Sequence, residues 1–238
     1  VIILRKVNKL IITDILLILT YIFFITIGIR YIAKFIIVVF NTSNGDLINV
    51  VANLIMYIIL TIICLIVLRR SLVKEFKSSL TIPQKGLNIF IGYLILIGSS
   101  ILGQFVLTLL GYGEAQSANQ QGIEALLESK YMLMIYASIL IGPIVEEIIF
   151  RKVMFELFVD KLKFSIYPIL ILSSLLFGSI HVIFNATENI SELVLIIPYF
   201  FQGLALGYIY LKNNRNIYIP LAVHILSNFI AGLIILFQ

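Results

Sequence analysis

Six side chains in the second half of this 238-residue chain could do chemistry: Glu146, Glu147, Arg151, His181, His224 and Asn228. They stand in three short clusters inside otherwise apolar runs. The first reads Gly142-Pro143-Ile144-Val145-Glu146-Glu147-Ile148-Ile149-Phe150-Arg151, the second Phe177-Gly178-Ser179-Ile180-His181, the third His224-Ile225-Leu226-Ser227-Asn228. On a helix, Glu147 and Arg151 lie one turn apart with the acid on the N-terminal side, so they can pair along one face. Glu146 is turned by about 100° from Glu147, which leaves it free for a different partner. Pro143 removes a backbone hydrogen bond just before the pair and can kink the helix there. Phe177 and His181 share a face, as do His224 and Asn228. A free carboxylate near two imidazoles can take a proton from water, relay protons, or help to ligate a metal. The plainer account is a structural salt bridge with interhelical hydrogen bonds.

The elements that must position these groups are membrane helices. The chain is 61% hydrophobic and 12% charged, with a mean hydropathy of +1.11. A soluble domain carries about 25% charged residues, so there are too few here to coat a water-facing surface. Runs of roughly 20 apolar residues match a hydrocarbon core about 30 Å thick. The expected fold is all-α: a polytopic transmembrane helix bundle of about seven spans, forming one membrane domain over residues 1–238. The spans are predicted at Leu10–Ile29, Asn49–Leu68, Leu87–Leu110, Tyr131–Phe158, Ser165–Asn185, Leu193–Leu211 and Ile217–Phe237. The first can continue to Phe40. Unbroken Ile/Leu runs argue against a β-barrel. Counted from Asp160, Pro168 and Arg215, Glu146 lies about 21 Å up, His181 about 20 Å and His224 about 14 Å, levels compatible with one site; a fifth helix that starts at Lys163 raises His181 by about 7 Å.

The basic residues orient the spans. With the N-terminus inside, only Arg30, Lys34 and Lys130 of the 17 Lys and Arg fall on the outer side, the asymmetry that the positive-inside rule describes. The net charge of +5 therefore reflects topology, and no nucleic-acid partner is expected. Cys64 is the single cysteine, so neither an intramolecular disulfide nor a thiolate cluster is available. Asn41, Asn185 and Asn189 match the N-glycosylation pattern, which matters only in a eukaryotic secretory cell. Gly203-x-x-x-Gly207 reads as a packing face. Asp14 is expected near the interface or paired, and Tyr131, Tyr199 and Tyr218 as interface anchors.

Glu146-Glu147-x-x-x-Arg151, Phe177-x-x-x-His181 and His224-x-x-x-Asn228, in that order on membrane helices, resemble the three signature motifs of the CPBP family. This is the group of CAAX prenyl endopeptidases and bacteriocin-processing or immunity proteins, also called Abi proteins. The resemblance covers roughly residues 131–237, the expected catalytic core, and no signature position departs from the pattern. It implies an intramembrane endopeptidase. Glu146 would be the general base that activates a water, which His181 would help to hold. His224 and Asn228 would stabilise the oxyanion, and Glu147 with Arg151 would support the site. Preorganised donors of this kind are worth most in a dry site.

The family is commonly labelled metalloprotease. Glu146, His181 and His224 could be three ligands of a zinc or other divalent ion with an open fourth position. No His-Glu-x-x-His helix is present, and a metal-free glutamate mechanism uses the same residues, so both stay open at this point. The expected partners are the lipid bilayer and a peptide or membrane-anchored protein substrate, in a bacterial plasma membrane. A role in processing a signalling peptide or bacteriocin is implied, or in immunity to one. The alternative is a non-catalytic bacteriocin-immunity or membrane scaffold protein. A small transporter with a Glu/His proton relay is a second rival, without the paired broken helices that would support it.

Overall fold

The computed structural model describes residues 2–77, 81–129, 131–186 and 190–237, with side chains except at 2–9 and 82. Lys130 and Asn189 lie outside the described residues, as do the side chains of Arg5, Lys6 and Lys9. The helices in chain order are α1 (Ile2–Phe23), α2 (Ile29–Phe40), α3 (Gly45–Phe76), α4 (Ile82–Leu109), α5 (Ala118–Leu127), α6 (Met132–Glu147), α7 (Ile166–Ile180), α8 (Ile183–Ala186), α9 (Ile196–Lys212) and α10 (Tyr218–Leu236). Among the described residues there is no strand. The protein is an all-α polytopic bundle, because a helix satisfies its own backbone in lipid. Among the described residues, six helical segments are long and apolar enough to cross a membrane. Local chemistry sets several starts. Asn44 accepts from the Leu47 amide at 2.9 Å, Thr81 and Gln84 form a capping box at α4, and Ser117 caps α5 through the Gln120 amide.

The structure extends the first span as the sequence allowed, and it shortens the fifth. The first span runs on to Phe40, because a π-helical turn at Phe24–Gly28 joins α1 to α2 without a break. The fifth span is shorter than Ser165–Asn185: α7 stops at Ile180 after 15 residues, about 22 Å of helix. The His181 amide bonds to the Gly178 carbonyl and the Val182 amide to Ser179. These tightened three-residue bonds end the helix within the apolar run. Two further π-helical segments, Ile148–Val153 and Glu156–Lys161, continue the line of α6.

The α6 line is the core of the bundle. Val145, Ile148, Ile149, Phe150, Val153 and Phe155 are all buried, and α1, α3, α7, α9 and α10 supply their neighbours in the same cluster. Ile66, Ile101, Leu109 and Leu133, by contrast, face outward, as lipid-facing positions do. At one end, ion pairs tie the helices together. Lys152 contacts Glu75 and Glu156, Lys161 contacts Asp14, and Arg215 grips Asp160 through two bonds of 2.6 and 2.8 Å. Asp14 is thus a paired residue.

The Gly203-x-x-x-Gly207 face of α9 packs on α7. A Cβ at Gly203 would lie 2.9 Å from the Ser174 backbone, whereas one at Gly207 would meet only the flexible end of Leu170. Gly203→Val is therefore expected to destabilise the protein by about 1–3 kcal/mol, and Gly207→Ala by less. Thermal unfolding in detergent checks the order of the two.

Candidate active site

The α6 line places Glu146 and Glu147 at the point where the α-helix passes into its π-helical continuation. Such π segments recur at functional sites because the extra residue per turn re-aims the side chains. The Phe150 carbonyl within this turn accepts a bond of 2.7 Å from the Ser173 hydroxyl of α7. Glu147 and Arg151 are both fully buried, and Arg151 Nε lies 3.2 Å from Glu147 Oε2. Arg151 also donates to the Gly203 carbonyl at 3.3 Å, and its guanidinium sits 4.5 Å over the Phe177 ring. A charged pair taken this far out of water holds only when further donors, acceptors and ring faces surround it.

Glu147 uses its other oxygen on α10: His224 Nδ1 lies 2.9 Å from Glu147 Oε1. The carboxylate is the acceptor, so Nδ1 carries a hydrogen and Nε2 is turned the other way. It points at Glu146, with Nε2 4.0 Å from Glu146 Oε2. His181 sits at the end of α7, with Nδ1 2.9 Å from the Phe177 carbonyl. That carbonyl would take the residue-181 amide in a continuous α-helix, so the tightened helix end leaves it to the imidazole. The Phe177 ring links the histidines, with its centroid 4.9 Å from His181 and 5.8 Å from His224. The three expected clusters thus meet around one carboxylate and one aromatic ring.

Asn228 has a more local bond than its sequence position revealed. Its amide donates to the Ile139 carbonyl at 2.9 Å. Ile139 is four residues before Pro143, so this is the carbonyl that the proline leaves without a helical donor. Asn228 fills that place and keeps its second amide hydrogen. Asn228→Ala is expected to destabilise the protein by about 1–3 kcal/mol. In a Pro143→Ala background, where residue 143 regains its N–H, most of that loss should vanish. Unfolding measured for the four forms checks the coupling; equal losses in both backgrounds would contradict it.

Sequence reasoning passed over several contributors. Tyr57 of α3 donates to Glu146 Oε1 at 3.3 Å. Tyr199 of α9, expected to be an interface anchor, stacks on His181 at 4.5 Å, and its hydroxyl pairs with Ser117 at 2.7 Å. Tyr21 of α1 is buried edge-on to Phe150, with centroids 5.7 Å apart. A tyrosine in an apolar span gives no signal of its own, and only tertiary packing separates these from the others.

Glu146, His181 and His224 are not gathered into a three-ligand metal set in this structure. Among the described residues no three His, Cys, Asp or Glu side chains converge closely enough to hold an ion. Each imidazole Nδ1 is committed, to Glu147 and to Phe177, which leaves each Nε2 as the nitrogen open to a proton, a water or an ion. The buried atoms left without a hydrogen-bond partner here include Glu147 Oε2, Arg151 Nε and Nη1, and Tyr21 Oη, acceptors as well as donors. The arrangement suits proton transfer at Glu146, with polar neighbours to stabilise charge.

Comparison with known proteins covers the same part of the chain. The family model for type II CAAX prenyl endopeptidase Rce1-like proteins matches residues 128–230, a segment that contains all six candidate residues. The curated "Putative membrane peptidase YdiL" of Bacillus subtilis (strain 168) is 30% identical over 174 residues, covering 70% of this chain and 66% of the relative. The match therefore spans just under two thirds of that relative's length. No solved structure matches. These matches support a CPBP/CAAX protease family for the chain.

Proposed function

We propose that this protein is an intramembrane endopeptidase that hydrolyses a peptide bond in a membrane-associated peptide or protein. The observation that carries the reading is the approach of His224 to both carboxylates, at 2.9 Å from Glu147 and 4.0 Å from Glu146. Glu146 is the one carboxylate of the two that Arg151 does not hold. It takes a proton from water, and the hydroxide attacks the scissile carbonyl carbon. His224, held through Nδ1 by Glu147, turns Nε2 toward the developing oxyanion, and the second amide hydrogen of Asn228 can donate to it. His181 keeps Nε2 for the water, since its Nδ1 is fixed on the Phe177 carbonyl. The C–N bond then breaks, and the proton held by Glu146 passes to the leaving amine, which restores the carboxylate.

A membrane substrate follows from the setting. The candidate residues lie on apolar helices, and the Bacillus relative is named as a membrane peptidase. The Lys and Arg distribution supports a cytoplasmic N-terminus, in a bacterial plasma membrane. Processing of a signalling peptide or a bacteriocin, or immunity to one, is the role that this chemistry and setting suit. The test is a comparison of membrane and secreted peptides from cells carrying the wild-type protein or Glu146→Gln. The reading expects new peptide termini, in or beside membrane segments, in wild-type cells alone. Identical peptide sets would overturn it in favour of a non-catalytic binding role.

A further inference from the structure

Glu146 has two oxygens, and the structure treats them differently. Oε2 faces His224, while Oε1 accepts from the Tyr57 hydroxyl at 3.3 Å. Tyr57 belongs to α3, well outside the segment matched by the family model. Space for its ring comes from Gly142, one turn before Glu146. A Cβ there would lie 3.3 Å from Tyr57 Cζ and 3.6 Å from Glu146 Oε1. A second phenol approaches from α1: Tyr21 is 2% exposed, and its hydroxyl has no hydrogen-bond partner among the described residues. It lies within electrostatic reach of Glu146, Tyr57 and Arg151.

We propose that Tyr57 is a positioning residue for Glu146, and that the Tyr21 hydroxyl completes the same polar pocket by binding a water shared with the carboxylate. The catalytic role of Glu146 rests on the peptidase reading; the phenol–carboxylate contact does not. By holding Oε1, Tyr57 fixes the carboxylate rotamer so that Oε2 alone faces the reacting side. A buried hydroxyl left without a partner is unfavourable, and a polar pocket with several hydrogen-bonding groups is where a bound water is stable. The groups around Glu146 are then Tyr57 from α3, Tyr21 from α1, His224 from α10, His181 from α7, and Arg151 and Glu147 from its own helix line. The N-terminal helices, which carry none of the signature residues, thereby supply one wall of the site.

The test uses the full-length protein in lipid vesicles, with Tyr57→Phe as the principal variant. The infrared carboxylate band that Glu146→Gln removes is recorded for each form, and the kinetics of cleavage are measured in parallel. Loss of the phenol removes the hydrogen bond to Oε1 and is expected to shift that band. The kcat value should fall by about 10- to 100-fold through loss of positioning, with KM little changed. Gly142→Ala, which crowds the Tyr57 ring, should move the band in the same direction, as should Tyr21→Phe. A band unchanged in both Tyr57→Phe and Gly142→Ala, with the fold intact, would overturn the proposal. If the wild-type protein cleaves nothing, the peptidase reading falls, and the infrared band still decides the role of Tyr57.

Discussion

Glu146→Gln is expected to lower peptide-bond cleavage by about 10³-fold or more while leaving the fold intact. General-base catalysis typically contributes about 10²–10⁴-fold, and without a base the attacking water stays protonated. The substitution keeps the side-chain shape, and the amide oxygen can still accept from Tyr57, which lies 3.3 Å from Oε1. No buried cation loses its partner, because Arg151 is held by Glu147. Stability should therefore change by no more than about 1 kcal/mol. Initial rates of cleavage, beside unfolding curves in the same detergent, separate the two effects. A variant that lost activity only in proportion to its folded fraction would remove Glu146 from the mechanism.

The second large effect is on stability. Arg151→Met leaves Glu147 fully buried without its cation and removes the donor to the Gly203 carbonyl. Breaking a buried pair from one side typically destabilises by about 3–5 kcal/mol, because the remaining charge is uncompensated. Glu147→Gln should destabilise for the matching reason, with Arg151 now alone over the Phe177 ring. The double variant Glu147→Gln/Arg151→Met removes both charges, so its loss should be smaller than the sum of the single losses. The expected coupling is about 2–3 kcal/mol, measured by a double-mutant cycle on unfolding. Activity should stay low in the double variant, because His224 loses the charged acceptor that orients it. Additive losses would mean that the 3.2 Å approach of the two groups carries no energy.

These expectations rest on features that differ in how far the amino-acid order reveals them. The apolar runs were enough for the helical bundle, since charge-poor segments of that length have few other stable forms in lipid. The Glu147–Arg151 pair follows from spacing alone, because residues four apart meet on a helix whatever surrounds it. Counting residues from the helix ends put Glu146 and His224 within about two helical turns in depth, and the structure brings them within 4.0 Å. The rest needed tertiary information. The stop of α7 at His181 depends on the imidazole taking the Phe177 carbonyl, which no hydropathy pattern encodes. The π-helical turn after Glu147 lies in a run of residues that reads equally well as α-helix. Asn228 and Pro143 are far apart in sequence, so the bond to the Ile139 carbonyl is invisible until the helices pack. Tyr57 is one of 12 tyrosines, and only its contact with Glu146 distinguishes it.

The most direct test of the central claim is cleavage of a small panel of membrane-anchored peptides by the purified protein in lipid vesicles. Fragments are identified by mass spectrometry for the wild type, Glu146→Gln and His181→Ala. The account predicts internal hydrolysis by the wild type, and loss of those fragments in both folded variants. Cleavage retained in both variants, or a panel left whole by the wild type, would contradict it.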